Sequence, residues 1–373
     1  MIESFVMKSS VSLASSRSVP PYVRLANELR ERIVSQELSP GDYIGTELQI
    51  AKDSKRSRMT VRRSIQVLMN EGLLERRPGR GVFIREKGHE TRCIHLLAGN
   101  LIWAPAVHVS HAVQDIARQS GIDVTLRDAC GSVEENVSFI RKLPKSDLDG
   151  AIIMSQHCPS FNNALACLIA ADFLFVVVDQ DLRDIEAPSV LSDNLSGGKM
   201  AAEALIRANH TRIAFIGDLG ADTSAARLAG VREACAEASV PAPLAFDIEC
   251  NDRFADWTPN VRRNILKLLQ CNPSPTGLVC SCDAVARLVY RCLAEQGLSI
   301  PKDMSIIGFD DDPIAEWLTP ALTTIRQDFD QIGRVAMKLL EDRIAHPNAP
   351  IRHEKIPVTL VERASVAPPP ENA

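Results

Sequence analysis

Between residues 92 and 365, short and almost wholly apolar runs alternate with amphipathic segments. The runs are "CIHLLAG" (93–99), "IDVTLR" (122–127), "GAIIMS" (150–155), "FLFVVVD" (173–179), "RIAFIGD" (212–218), "TGLVCS" (276–281) and "MSIIGFD" (304–310). The amphipathic segments include 106–119, 132–143, 195–208, 223–237, 283–296 and 331–345. A strand that is apolar on both faces needs cover on both faces, so this alternation predicts parallel sheets sandwiched between helices. Roughly 270 residues is large for one such sheet, and two α/β lobes are expected. Sheets of this kind take ligands beyond the carboxyl ends of their strands. Asp179, Asp218 and Asp310 fall there.

Catalytic and cofactor signatures do not appear. No GxGxxG follows the first apolar run, no GxxxxGK[ST] occurs, and no GxSxG nucleophile elbow is present, so neither an enzyme nor a nucleotide cofactor is expected. The ten cysteines include no CxxC pair. Cys280 and Cys282 alternate at a strand end and do not converge as metal ligands would. They read as free thiols of a reducing cytoplasm. No apolar run approaches the length of about eighteen residues that a membrane helix needs. Residues 1–19 are Ser-rich without a leader-like apolar core and read as a disordered tail, as do 366–373.

The charge is unevenly spread. The whole chain carries −5, but residues 1–90 hold 16 basic and 11 acidic side chains against 26 and 36 in the remainder. A basic head on an acidic body suits a polyanionic partner that only the head touches.

Within the head, Leu25, Leu29 and Ile33 recur every four residues and predict a helix that stops at the Pro/Gly turn near Ser39–Gly41. "TELQIAKD" opens with a capping box, Thr46 with Gln49, and Leu48 and Ala51 are expected to give this helix its buried side. In "RSRMTVRRS" (56–64), Ser57 is the expected N-cap. Val61, Ile65 and Leu68 share a buried face, and Met59, Arg63 and Gln66 lie opposite. "LLERRPGRGVFI" then reads as a hairpin with an arginine-bearing tip. Three helices and a hairpin make a winged helix-turn-helix. A merely solvated helix face would carry acids to pair with its arginines, and none occurs between Asp53 and Glu71. Arg56 and Arg63 suit phosphate contacts.

The stretch from Pro21 to Ile84, with "SPGD", "SRMTVR", "EGLLERR" and "GRGVF", resembles the GntR-type winged-helix domain. That resemblance implies DNA contacts from Ser57, Arg58, Thr60 and Arg62, with Gly79 and Arg80 at the wing tip. The family often places "SER" at the start of its second helix, its Arg meeting DNA. Leu48 stands there instead, leaving Lys52 or Lys55 to replace that contact.

The body resembles the LacI-type effector domain, which is similar to periplasmic sugar-binding proteins. The marks are "LSDNLSGGKMAAEALIRANHTRIAFIGD", "SAARLAG", "SIPKDMSIIGFDDDPIAEWLTPALTTIRQDFDQIG" and "IPVTLVERAS". The resemblance implies two lobes joined by three crossovers, with ligand between them. It implies that Arg227 and Asp310 grip ligand oxygens, a guanidinium donating and a carboxylate accepting. The plain alternative for that pair is a structural ion pair across the lobes. Cys282 occupies a position where the family often has Asn, and Asp283 is expected to cap the following helix. Trp103 and Trp257 fall in loops that often carry an aromatic platform. Asp179, near a crossover, is a further candidate. The pairing of such a head with such a body resembles the arabinose-responsive repressor group.

The expected organisation is a winged helix-turn-helix at 20–86, a linker at 87–92 and a two-lobed effector domain at 93–365. The expected function is a cytoplasmic, dimeric regulator that binds a pseudo-palindromic double-stranded DNA operator and senses a small polyhydroxylated ligand such as a sugar. The alternative is a DNA-binding protein whose sensor is kept only for dimerisation.

Overall fold

Thr46 accepts a hydrogen bond from the backbone N–H of Gln49 at 3.2 Å, and the Gln49 side chain accepts one from the N–H of Thr46 at 2.8 Å. That reciprocal box starts the second helix of the head where the sequence places it. The structure, a computed structural model, describes residues 20–34, 38, 41–70, 73–77, 80–84, 92–98, 101, 104–128, 133–146, 148–154, 159–180, 182, 185–248, 257–347 and 349–370. The chain divides into two units, residues 1–90 and 91–373.

The first unit runs α1 (Pro21–Val34), β1 (Tyr43–Gly45), α2 (Glu47–Asp53), α3 (Arg58–Asn70), β2 (Leu74–Arg77) and β3 (Gly81–Ile84). β2 and β3 form the expected antiparallel wing, and β1 adds a third strand against β3. Leu25, Leu29, Ile50, Val61, Ile65, Leu68 and Val82 meet in one core. The Ser64 hydroxyl, fully buried in α3, donates to the Tyr22 carbonyl at 2.8 Å and ties α3 to α1. One expectation fails: Leu48 is 60% exposed, and Ile50 is the buried residue of α2. A helix of seven residues has room for little more than one inward position, and Ile50 takes it.

The second unit continues with β4 (Arg92–Ala98), α4 (Ala104–Gln119), β5 (Ile122–Asp128), α5 (Val133–Ile140), β6 (Gly150–Met154), α6 (Pro159–Ala170), β7 (Phe175–Val178) and β8 (Ser189–Ser192). Then come α7 (Asn194–Arg207), β9 (Ile213–Gly217), α8 (Asp222–Glu237), β10 (Leu244–Asp247), α9 (Trp257–Leu269), β11 (Gly277–Cys280), α10 (Asp283–Glu295), β12 (Ser305–Asp310), α11 (Ile314–Trp317) and β13 (Thr323–Arg326). α12 (Phe329–Ala345), β14 (His353–Ile356) and β15 (Thr359–Val361) close it.

Two six-stranded sheets result, in the orders β14-β8-β7-β6-β4-β5 and β10-β9-β11-β12-β13-β15. All pairings are parallel except β13 with β15. Each sheet is covered on both faces. In β6, Ile152 joins one core and its neighbour Ile153 the other, as a two-sided strand requires. The strands line up so that the chain passes between lobes three times: after β8, after β13 and after β14. The parallel sheets, the two lobes and the winged head thus match the expected fold class. No described helix is long and apolar enough to cross a membrane.

Helices α7 and α8 cross at backbone contact. A Cβ on Gly198 would lie 1.9 Å from the Arg227 carbonyl oxygen, and one on Gly230 would lie 2.0 Å from that of Leu195. The glycines of "SGGK" and "LAG" therefore set how close Arg227 is held to α7.

Candidate functional site

The head presents the first turns of α3. Ser57 accepts from the N–H of Thr60 at 3.2 Å, and the two hydroxyls lie 2.9 Å apart. Val61, Ile65 and Leu68 are fully buried, while Arg58, Met59, Arg62, Arg63 and Gln66 face outward. Acids from other elements reach this helix. Glu28 of α1 takes Arg56 at 3.2 Å. Glu47 of α2 takes Arg62 at 3.3 Å and also Arg76 of the wing. The Arg63 guanidinium lies 6.0 Å from the centre of the Tyr22 ring. Arg58 is exposed and has no ion-pair partner among the described residues. Arg80 is exposed, and Gly79 lies outside the described residues.

The second unit carries a cleft of about 400 Å³. Ala104 and His108 line it from the first lobe, and Asp310–Pro313 and Arg326–Asp330 carry it round the second lobe and the second crossing. Gln327 donates to the Asp310 carboxylate at 2.6 Å. Burial pushes the Asp310 carboxyl up to about 7, and Asp179 and Asp312 add to that. The positive charge of Arg227 and the Gln327 hydrogen bond pull it back down. Asp310 has φ +121° and Asp179 φ +60°, a backbone region in which strain concentrates at functional positions.

Behind Asp310, Arg227 is 6% exposed. Its Nε donates to Asn194 Oδ1 at 2.8 Å, its Nη1 donates to the Ser281 carbonyl, and its guanidinium lies 3.7 Å from the centre of the Phe309 ring. Cys282 sits close enough to Asp310 for that carboxylate to raise its thiol, although burial is the larger cause of its rise to about 12.

Among the described residues, four buried side-chain oxygens find no partner within the protein: Gln180 Oε1, Ser192 Oγ and Gln327 Oε1 near strand ends, and Ser224 Oγ in the first turn of α8. Leaving such an atom unpaired costs about 1–3 kcal/mol. Water or ligand hydroxyl groups can supply such partners.

Residues 21–84 match the bacterial regulatory proteins of the GntR family, and residues 202–366 match the periplasmic binding protein-like domain. The HTH-type transcriptional repressor PurR of Escherichia coli O1:K1 is 29% identical over 289 residues, 76% of this chain and 82% of that protein. The chain is a transcriptional regulator with a GntR-type head and a periplasmic-binding-protein-like body. The LacI family regulator from Enterococcus faecium, solved with bound ribose, is 26% identical with a TM-score of 0.63. It covers 74% of this chain and 99% of its own. A putative ribose operon repressor from Burkholderia thailandensis is likewise 26% identical with a TM-score of 0.63, over 73% and 99%. These relatives are repressors and regulators.

In the regulator, Arg227, Asp310 and Cys282 come together in the second lobe, and Asp179 acts on Asp310 from the first. Arg227 and Asp310 belong to the same lobe and make no direct ion pair, so the cross-lobe pair is not what is found. Trp103 lies outside the described residues, and Trp257 opens α9. Asp283 does not cap α10. It is its first residue, fully buried, accepting from the Asp312 N–H at 2.9 Å and the Thr324 hydroxyl at 2.6 Å. Burial raises its carboxyl well above the ordinary range. The N-cap position belongs to Cys282, whose side chain caps nothing. Sequence reasoning missed Gln180, Asn194, Ser224 and Gln327. Their signal was position alone: Gln180 and Gln327 each stand just past a strand end, and Ser224 stands one turn before Arg227.

Proposed function

We propose that the regulator is a cytoplasmic repressor that binds a pseudo-palindromic operator as a homodimer and senses an uncharged polyhydroxylated ligand, such as a sugar. Its head spans 20–86 and joins its sensor, 93–365, through 87–92. Arg58, Thr60, Arg62 and Arg80 serve DNA, with Ser57 fixing the start of the reading helix and Arg63 and Arg56 supporting it. Arg227 and Asp310 hold the ligand, with Gln327 and Asp179 at its edge. The observation that carries the reading is the Asp310 carboxylate on the cleft wall, held by Gln327 at 2.6 Å, with Arg227 fixed behind it by Asn194 and the Ser281 carbonyl.

Ribose in the Enterococcus faecium regulator supports a sugar. Charge supports an uncharged one. Asp310, Asp311, Asp312, Asp328 and Asp330 line the cleft against Arg326, and Arg326 is already paired with Asp311 at 2.7 Å. A phosphate would meet repulsion there. Ligand changes DNA affinity only as far as it prefers one lobe arrangement over another.

A thermal-shift panel of pentoses, hexoses, polyols and sugar phosphates tests the sensor. At least one uncharged member should raise the melting temperature and its phosphate ester should not. A panel in which nothing uncharged binds overturns the reading.

A further inference from the structure

The outward surface of the head is not purely polar. Its exposed large apolar side chains, among the described residues, are Tyr43 at 49%, Leu48 at 60% and Met59 at 64%. Scattered exposed apolar residues are ordinary. These three stand on β1, α2 and α3, elements that one ion-pair and hydrogen-bond network joins. The Tyr43 hydroxyl donates to the Gln49 side chain of α2 at 2.7 Å. Leu48 is in the first turn of α2, next to Glu47, which holds Arg62 of α3 and Arg76 of the wing. Met59 precedes Arg62 by one turn on the same outward face of α3. Exposed Arg58 adjoins Met59, and Arg62 and Arg76 meet at Glu47 beside Leu48, a basic setting that suits a polyanion better than an apolar protein surface.

A recognition helix meets base edges with its N-terminal residues, and Met59 is the second residue of α3. A thioether donates no hydrogen bond and accepts only weakly, and an isobutyl group does neither, so they read the donor and acceptor code of the major groove poorly. The one apolar feature that a base pair offers there is the C5-methyl group of thymine. We propose that Met59 reads the methyl group of a thymine in the operator, with Leu48 of the neighbouring helix extending the apolar contact. The missing arginine at position 48 then becomes a change of readout from hydrogen bonding to methyl recognition. The inference rests on the head being a DNA reader.

The test uses the full chain and a randomised duplex library. Enriched duplexes are resynthesised with each dT replaced in turn by deoxyuridine, which removes only the methyl group. At one or more positions, the wild-type protein should lose about fourfold in affinity, the value for one buried methyl group. Met59→Ala should bind the thymine and uracil duplexes alike, and Met59→Leu should keep most of the preference. Leu48→Ala should reduce it. The inference is overturned if no uracil substitution matters to the wild type, or if Met59→Ala discriminates as well as wild type. A library from which nothing is enriched would contradict the DNA reading of the head itself, and the inference with it.

Discussion

The Arg227 guanidinium lies over the Phe309 ring, 3.7 Å from its centre, while Asn194 and Ser281 take its Nε and Nη1 protons. An arginine fixed in this way has lost its rotamer freedom before ligand arrives, so less entropy is lost on binding. Phe309 also directly precedes Asp310, so one strand end supplies both the aromatic face and the carboxylate.

Replacing Phe309 by Leu removes the ring while keeping an apolar side chain against α7. Effector affinity should fall by about 0.5–2 kcal/mol, the range of a cation–π contact. Ligand-free DNA binding should stay within a few fold. Calorimetric titration of the variant with the effector, set beside its DNA affinity, checks both.

Effector binding should depend on pH through Asp310. Its carboxyl titrates at about 7 in the folded protein against an ordinary 3.8. Between those values the folded chain holds a proton that the unfolded chain has released, so this group's contribution to stability falls as pH rises through that window. A ligand hydroxyl that donates to the ionised carboxylate favours the deprotonated form. Affinity should therefore rise from about pH 6 to about pH 8, and Asp310→Asn should flatten the profile. Titrations at several pH values give the answer.

Gly198→Ala places a methyl group against the Arg227 carbonyl, where its Cβ would stand 1.9 Å from backbone oxygen. Neither helix can yield without separating from the other. A loss of about 1–3 kcal/mol or more is expected in urea unfolding. The effector response should suffer beyond the loss of stability, because Arg227 moves with its backbone.

Glu47 holds two arginines that a phosphate backbone would otherwise attract. Glu47→Gln should release Arg62 and Arg76. DNA affinity at low salt should rise, and the salt dependence should steepen by about 0.9 for each new phosphate contact. Discrimination between operator and random DNA should weaken. Binding isotherms over a salt series measure this.

The parallel sheets were legible because β6, β7 and β12 are apolar on both faces, and α3 because Val61, Ile65 and Leu68 keep helical spacing. β13 and β15 were not. "TTIR" and "TLV" are short and partly polar, and their pairing depends on chain returning from the other lobe. The arginines of "RSRMTVRRS" looked unpaired because the sequence shows only local neighbours. Glu28 and Glu47 arrive from 28 and 15 residues away. Asp283 illustrates the same limit: an acid at a helix start suggests a cap, and its true partners, Asp312 just after β12 and Thr324 in β13, lie 29 and 41 residues further along the chain. The unpartnered oxygens of Gln327 and Ser224 follow no spacing rule, since only the assembled lobe decides which polar groups find partners.

The central claim is that a ligand held at Arg227 controls the DNA affinity of the head. The direct measurement is fluorescence anisotropy of a labelled operator duplex, titrated with full-length protein in the presence and absence of the effector, for wild type and Arg227→Ala. The wild-type isotherm should shift with effector. The variant should bind the duplex within a few fold of wild type when ligand-free and show no shift. A variant that responds to effector as wild type does would contradict the claim.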